Sequence, residues 1–195
     1  MNCPKKYYVI IFLLIALFIT NSSFAQKPTF GLKLGVAVSH STIDENTTEP
    51  NSGSSFNGVG ILGGVYLDIP LVNEVVLRPG AEIVSKGSSG NSRYYYYPPR
   101  FTYLDIPLNI LYKSNSSHGH LIAGGGPVLG IPFQPYYGYT LKTDVGLNGI
   151  IGYEFSIGFS FNVNYCYGLN NVSKNKDIAT KISTRYLGIS VGYNF

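Results

Sequence analysis

Charge is what this sequence has least of. Only 12% of its 195 residues are Asp, Glu, Lys or Arg, against about 25% in an ordinary soluble domain, which argues against a surface that meets water on all sides. Tryptophan is absent, methionine occurs once and cysteine twice. Cys3 lies in the first 25 residues, so Cys166 is left without an intramolecular partner and a disulfide framework is excluded. Long apolar runs are missing too, except from Val9 to Ile19. That run follows Lys5 and Lys6, precedes Ser23-Phe24-Ala25, and falls short of the roughly 20 apolar residues a membrane helix needs. It predicts a secretory signal peptide over residues 1–25, cut after Ala25, ahead of a single domain over residues 26–195. Removing it takes two of the 14 basic residues and leaves 12 against 10 acidic ones. A net charge of +2 predicts no nucleic-acid partner.

What is present is glycine, tyrosine and alternation. The 23 Gly and 17 Tyr suit strands, turns and aromatic girdles. In "YLGISVGYNF" (186–195) Leu187, Ile189, Val191, Tyr193 and Phe195 share one face, with Gly188, Ser190, Gly192 and Asn194 on the other. "SIGFSFNVNYCY" (156–167) repeats the pattern. Period two makes each a strand. Eight such segments are expected, over about 29–40, 55–68, 74–86, 100–113, 119–132, 142–153, 156–168 and 181–195. Their connections alternate in length: "STIDENTTEPNSGS", "GSSGNSRYYYYPP", "PFQPYYGYT" and "NNVSKNKDIATK" are long, whereas "IPLVN", "SNSSH" and the residues around "EFS" are short. An even number of antiparallel strands of about ten residues, with short turns at one end and long loops at the other, predicts an eight-stranded transmembrane β-barrel of the outer membrane, its termini and short turns periplasmic.

The polar face decides which way the apolar face looks. A soluble barrel would carry Lys, Glu, Asp and Arg outside, but this face carries Gly, Ser and Asn. Such residues fit a narrow lumen, so Leu, Ile, Val and Phe are expected to face hydrocarbon. On the same parity Lys33, Arg78, Glu82 and Asp105 point inward. Glu82 and Asp105 fall on neighbouring strands at similar height and would repel unless Arg78 or Lys33 lies between them. Desolvated charges must pair, so the cluster reads as a polar plug, or else as a proton or solute path. "YLDIPL" occurs twice, at 66–71 and 103–108, too short a match to establish a duplication.

Six stretches together resemble the PorT-like outer-membrane β-barrel family: "QKPTFGLKLGVAVS", "LRPGAEIVSKG", "YLDIPLNILYK", "AGGGPVLG", "YCYGLNNV" and "YLGISVGYNF". The resemblance covers the chain after residue 25 and implies an eight-stranded barrel in the outer membrane of a Gram-negative-type bacterium. It implies little about activity, because most members are defined by fold and only the namesake is tied to a secretion and gliding apparatus. It also implies that Leu187, Ile189, Val191, Tyr193 and Phe195 form the terminal signal read by the barrel-assembly machinery.

The loop "SRYYYYPPRF" lies where family members vary. Its Arg93, Tyr94, Tyr95, Tyr96, Tyr97 and Arg100 suit either a recognition surface or an aromatic girdle. His40, His118 and His120 assemble no metal site from their positions in the chain. A lipid-acting enzyme would have to start from His40 with Ser39 or Ser41. The expectation is therefore a non-enzymatic barrel with no catalytic, metal or cofactor residues, serving as an anchor or as an accessory subunit of an envelope protein complex. A narrow channel or transporter for small solutes is the alternative, and a lipid-acting enzyme a third class. Outer-membrane lipid and the assembly machinery are the other expected partners.

Overall fold

The computed structural model describes residues 27–45, 53–87, 100–133, 141–172 and 180–195, with their side chains except at 43–45, 53–56, 87, 100 and 180–182. The expected signal peptide and most of the Tyr-rich loop lie outside the described residues. Eight strands follow in chain order: β1 (Thr29–Glu45), β2 (Gly53–Val72), β3 (Val75–Gly87), β4 (Arg100–Lys113), β5 (Gly119–Pro132), β6 (Asp144–Phe155), β7 (Phe159–Gly168) and β8 (Thr180–Asn194). Each pairs antiparallel with its neighbour, and β8 pairs back onto β1 over Gly31↔Asn194 to Glu45↔Thr180. Closure leaves no sheet edge, which is what a backbone in hydrocarbon requires.

Three departures from the predicted spans have local causes. β2 runs on through Ile69-Pro70-Leu71, expected to be a connection, because the ladder admits a register shift between Pro70 and Val72 where the proline has no N–H to give. The turn that follows is then tight, with Asn73 at φ +43°. Residues 156–158, expected in a strand, form the β6–β7 turn, where Gly158 takes φ +89°. β1 and β2 stay paired out to Asp44↔Gly53, so their hairpin is several residues taller than the 10-residue β7.

The outward face is apolar. Phe30, Leu32, Leu34, Val36 and Val38 on β1 and Leu187, Ile189, Val191, Tyr193 and Phe195 on β8 are all solvent-facing in the isolated chain, as are Phe161 and Val163 on β7. Rings gather at the short-turn end: Phe195 lies 6.1 Å from Phe30 and 4.9 Å from Tyr193, and Tyr193 lies 5.6 Å from Phe159. An apolar band rimmed by aromatics is the outer surface of a membrane barrel.

Candidate functional site in the barrel lumen

Inward positions carry more than Gly, Ser and Asn. Ala37, Leu62, Val84, Val128, Cys166 and Tyr186 form one buried apolar cluster, and Leu111, Ile122 and Ile150 another. Phe101, Tyr103, Leu141 and Val172 pack together beneath the long loops. Charges set among these groups are shielded from water, so each needs a partner.

They have partners, in three groups stacked along the lumen. At the short-turn end Arg78 makes a two-pronged bond to Asp68, with Nη2 donating to Oδ2 at 2.8 Å. Lys113 Nζ sits 2.7 Å from Glu154 Oε1 and 3.5 Å from Asp68 Oδ2, and the Asn194 amide donates to both carboxylates, at 2.9 Å and 3.3 Å. Midway, Lys33 Nζ lies 2.6 Å from Glu82 Oε1. Beside it an amide chain crosses the lumen, Asn164 donating to Asn148 and Asn148 to Asn109. Toward the loops, Lys86 bonds Asp105 at 3.0 Å and Asp144 at 3.2 Å. Thr184 donates to Asp144 at 2.7 Å and Tyr186 to Asp105 at 3.3 Å.

The four residues singled out from the sequence all lie inside; Lys33 meets Glu82, one of the expected pairings, but Arg78 and Asp105 take other partners. Glu82 and Asp105 are direct cross-strand partners. Lys33 takes Glu82 alone, and Asp105 is neutralised by Lys86. Arg78, one of the two cations expected to serve these carboxylates, turns to Asp68 near the short turns. Five further charges face inward: strand parity alone puts Asp68, Lys86, Lys113 and Asp144 there, while Glu154 does so because β6 runs on to Phe155, past its expected end. The repeated hexapeptide was the clearest missed signal. In both copies Tyr and Asp face the lumen and share one cation from β3: Arg78 lies 4.3 Å over the Tyr66 ring and on Asp68, and Lys86 lies 4.7 Å from the Tyr103 ring and on Asp105.

The lumen is packed around these pairs. A void of about 10 Å³ lies between Tyr66, Arg78, Glu82, Asn162 and Asn164, room for about one water molecule. Gly130 makes the fit possible at the loop end, since a Cβ there would lie 2.7 Å from Asp105 Oδ1 and 3.2 Å from Asp144 Cβ. At the short-turn mouth a polar vestibule of about 510 Å³ opens, bordered by Lys27, Glu74, Lys113 and His120 and floored by Asp68.

The remaining candidates are dispersed. Ser39 and Ser41 face the lumen, 2% and 4% exposed, while His40 between them points outward and its Nδ1 donates to Asn57 Oδ1 at 2.6 Å. The two halves of that dyad are thus on opposite sides of the wall. His120 Nδ1 donates to Ser114 O at 2.6 Å, and His118 bonds Ser117. Among the described residues no group of three His, Cys, Asp or Glu is placed to hold a metal ion. Arg93 and Tyr94 to Tyr97 lie outside the described residues, as does the side chain of Arg100.

A family model described as outer membrane protein beta-barrel domain matches residues 24–174. The chain belongs to that family. Solved structures that share the barrel's fold include two bacterial membrane or surface proteins. OprG of Pseudomonas aeruginosa aligns at 14% identity with a TM-score of 0.55, over 87% of this chain and 97% of its own. The Neisserial surface protein A aligns at 13% identity with a TM-score of 0.53, over 87% of this chain and all of its own. At such identity the likeness is one of fold. No curated protein matches the sequence. Membership places this barrel in the outer membrane, and its apolar exterior and charged interior are the two sides of that one fact.

Proposed function

We propose that this outer-membrane barrel is a closed, non-enzymatic anchor whose long loops engage a partner outside the cell, as an accessory subunit of an envelope complex. The observation that carries the reading is the filled lumen. Ion pairs bridge it in three groups, and the void between them admits about one water. A barrel built this way spends its inner face on closure and keeps its loops for recognition. Residues 1–25 serve as the cleaved export signal, and the six PorT-like stretches make an envelope assembly of that general kind the natural setting. In this reading Arg93, Tyr94 to Tyr97 and Arg100 supply the recognition surface, since Tyr and Arg offer large contact area at low entropic cost. The test is capture from detergent-solubilised outer membrane. A partner retained by the native chain and lost when Tyr94 to Tyr97 are changed to Ser supports the proposal, and identical capture by both chains contradicts it.

One observation favours a second reading, a narrow channel for small solutes: the vestibule of about 510 Å³ at the periplasmic mouth. Liposome swelling in small sugars separates the two, since a channel admits the sugar and a closed anchor does not.

A further inference from the structure

The outward face of the wall is apolar up to one level and then changes character on four adjacent strands at once. His40 on β1 is paired in register with Asn57 on β2 and with Arg185 on β8, and Arg185 is paired with Tyr167 on β7. All four side chains lie on the outward parity, directly beyond Val38, Val59, Leu187 and Tyr165. In a barrel of tilted strands such a row climbs obliquely by about 3 Å per strand, and the height of each residue follows from its own strand. From Phe30 to His40 and from Arg185 to Phe195 there are ten residue steps. At about 3.3 Å each and a tilt of about 40° they span about 25 Å, the height of a barrel's apolar band. With the aromatic rim of Phe30, Phe195, Tyr193 and Phe159 at the inner boundary, His40 and Arg185 fall near the headgroups of the outer leaflet.

The chemistry of the row is cationic and polar. Among strand cations with described side chains, Lys33, Arg78, Lys86 and Lys113 are inward and paired with carboxylates. Arg185 points outward, half-buried, and enters no ion pair among the described residues; its guanidinium lies 5.8 Å over the Tyr167 ring. Stacking of that kind holds the guanidinium plane while leaving N–H groups at its edge free to donate. His40 is held by its Nδ1 bond to Asn57, which leaves Nε2 as the ring's other polar atom. The Arg185 guanidinium fork suits the oxygens of a phosphate monoester, while a His40 whose Nδ1–H is given to Asn57 presents Nε2 as an acceptor for the monoester's remaining P–OH; phosphate is the anion that outer-leaflet glycolipid headgroups present at this depth. We propose that Arg185, His40 and Asn57 form a binding site on the outer wall for the phosphate of an outer-leaflet glycolipid.

The test uses the full chain refolded in detergent micelles and native mass spectrometry. It is titrated with diphosphoryl lipid A, with the same lipid stripped of phosphate, and with inorganic phosphate. The proposal predicts one saturable adduct of diphosphoryl lipid A, binding at least tenfold weaker for the stripped lipid, and no saturable binding of inorganic phosphate. Arg185→Gln should weaken the adduct about tenfold, while Lys142→Gln, an exposed cation off the row, should leave it unchanged. Equal binding by Arg185→Gln overturns the proposal. Equal binding of the stripped lipid reduces the contact to acyl chains, and saturable inorganic phosphate makes the site one for free anions; either result also overturns it. Should Arg185→Gln lack the heat-modifiable gel shift of a folded barrel, Arg185→Lys takes its place. It keeps the charge and loses the planar fork, so several-fold weaker binding is expected and unchanged binding contradicts the proposal.

Discussion

Arg78 and Glu82 lie four residues apart on the inward face of β3 and yet answer to different partners, Asp68 on β2 and Lys33 on β1. That division makes a prediction about coupling. Lys33→Ala leaves Glu82 buried without its cation, a change that costs about 3–5 kcal/mol when one member of a buried pair is removed. Adding Glu82→Gln removes the stranded charge and should restore part of the loss. Arg78→Ala should couple in the same way to Asp68→Asn. It should couple more weakly to Glu82→Gln, because the two share a small void but no ion-pair partner. Denaturant unfolding of the singles and doubles in detergent checks this. Coupling between Arg78 and Glu82 with none between Arg78 and Asp68 would contradict the pairing described above. That the charges point inward was legible from parity. Their partners were not, because Lys86 finds Asp144 58 positions further along the chain, and only the closed barrel brings them together.

At the scale of the element, the alternating segments were readable because each strand keeps one apolar face, and β7 shows this without interruption from Phe159 to Gly168. Boundaries were less so: nothing local marks Pro70 as lying inside a strand, since it is the bulge beside it that lets the ladder continue. Depth on the outward face sets the demand on a substitution. Val163 is at the centre of the outward row of β7, so Val163→Arg should cost about 2–4 kcal/mol on folding into lipid, whereas Tyr167→Arg, at the outer boundary, should cost about 0–1. Equilibrium folding into vesicles measures both, and equal costs would remove the membrane band from the account. The end of β8 carries its own prediction. Phe195 stacks near Phe30 and Tyr193, and its N–H donates to Phe30 O at 2.9 Å, sealing the β8–β1 seam. Deleting it should reduce outer-membrane levels and leave a protease-sensitive periplasmic species; normal levels on fractionation would contradict a role in assembly.

For the molecule as a whole, the short turns, the aromatic rim and the apolar band were foreseeable from composition and spacing, while closure of the lumen was foreseeable only as a need for pairing. Four residues suggested a cluster; among the described residues nine charged side chains fall in three groups, Lys33 and Glu82 in the middle, Asp68, Arg78, Lys113 and Glu154 below and Lys86, Asp105 and Asp144 above. Together with Leu62, Leu111, Ile122 and Ile150 these groups pack the described interior, and the void beside Arg78 and Glu82 has room for about one water. Single-channel recording of the native chain in a planar bilayer tests this closure most directly. The account predicts no steady conductance from protein whose folding is verified by its heat-modifiable gel shift, and steady unitary currents from that folded protein would contradict it.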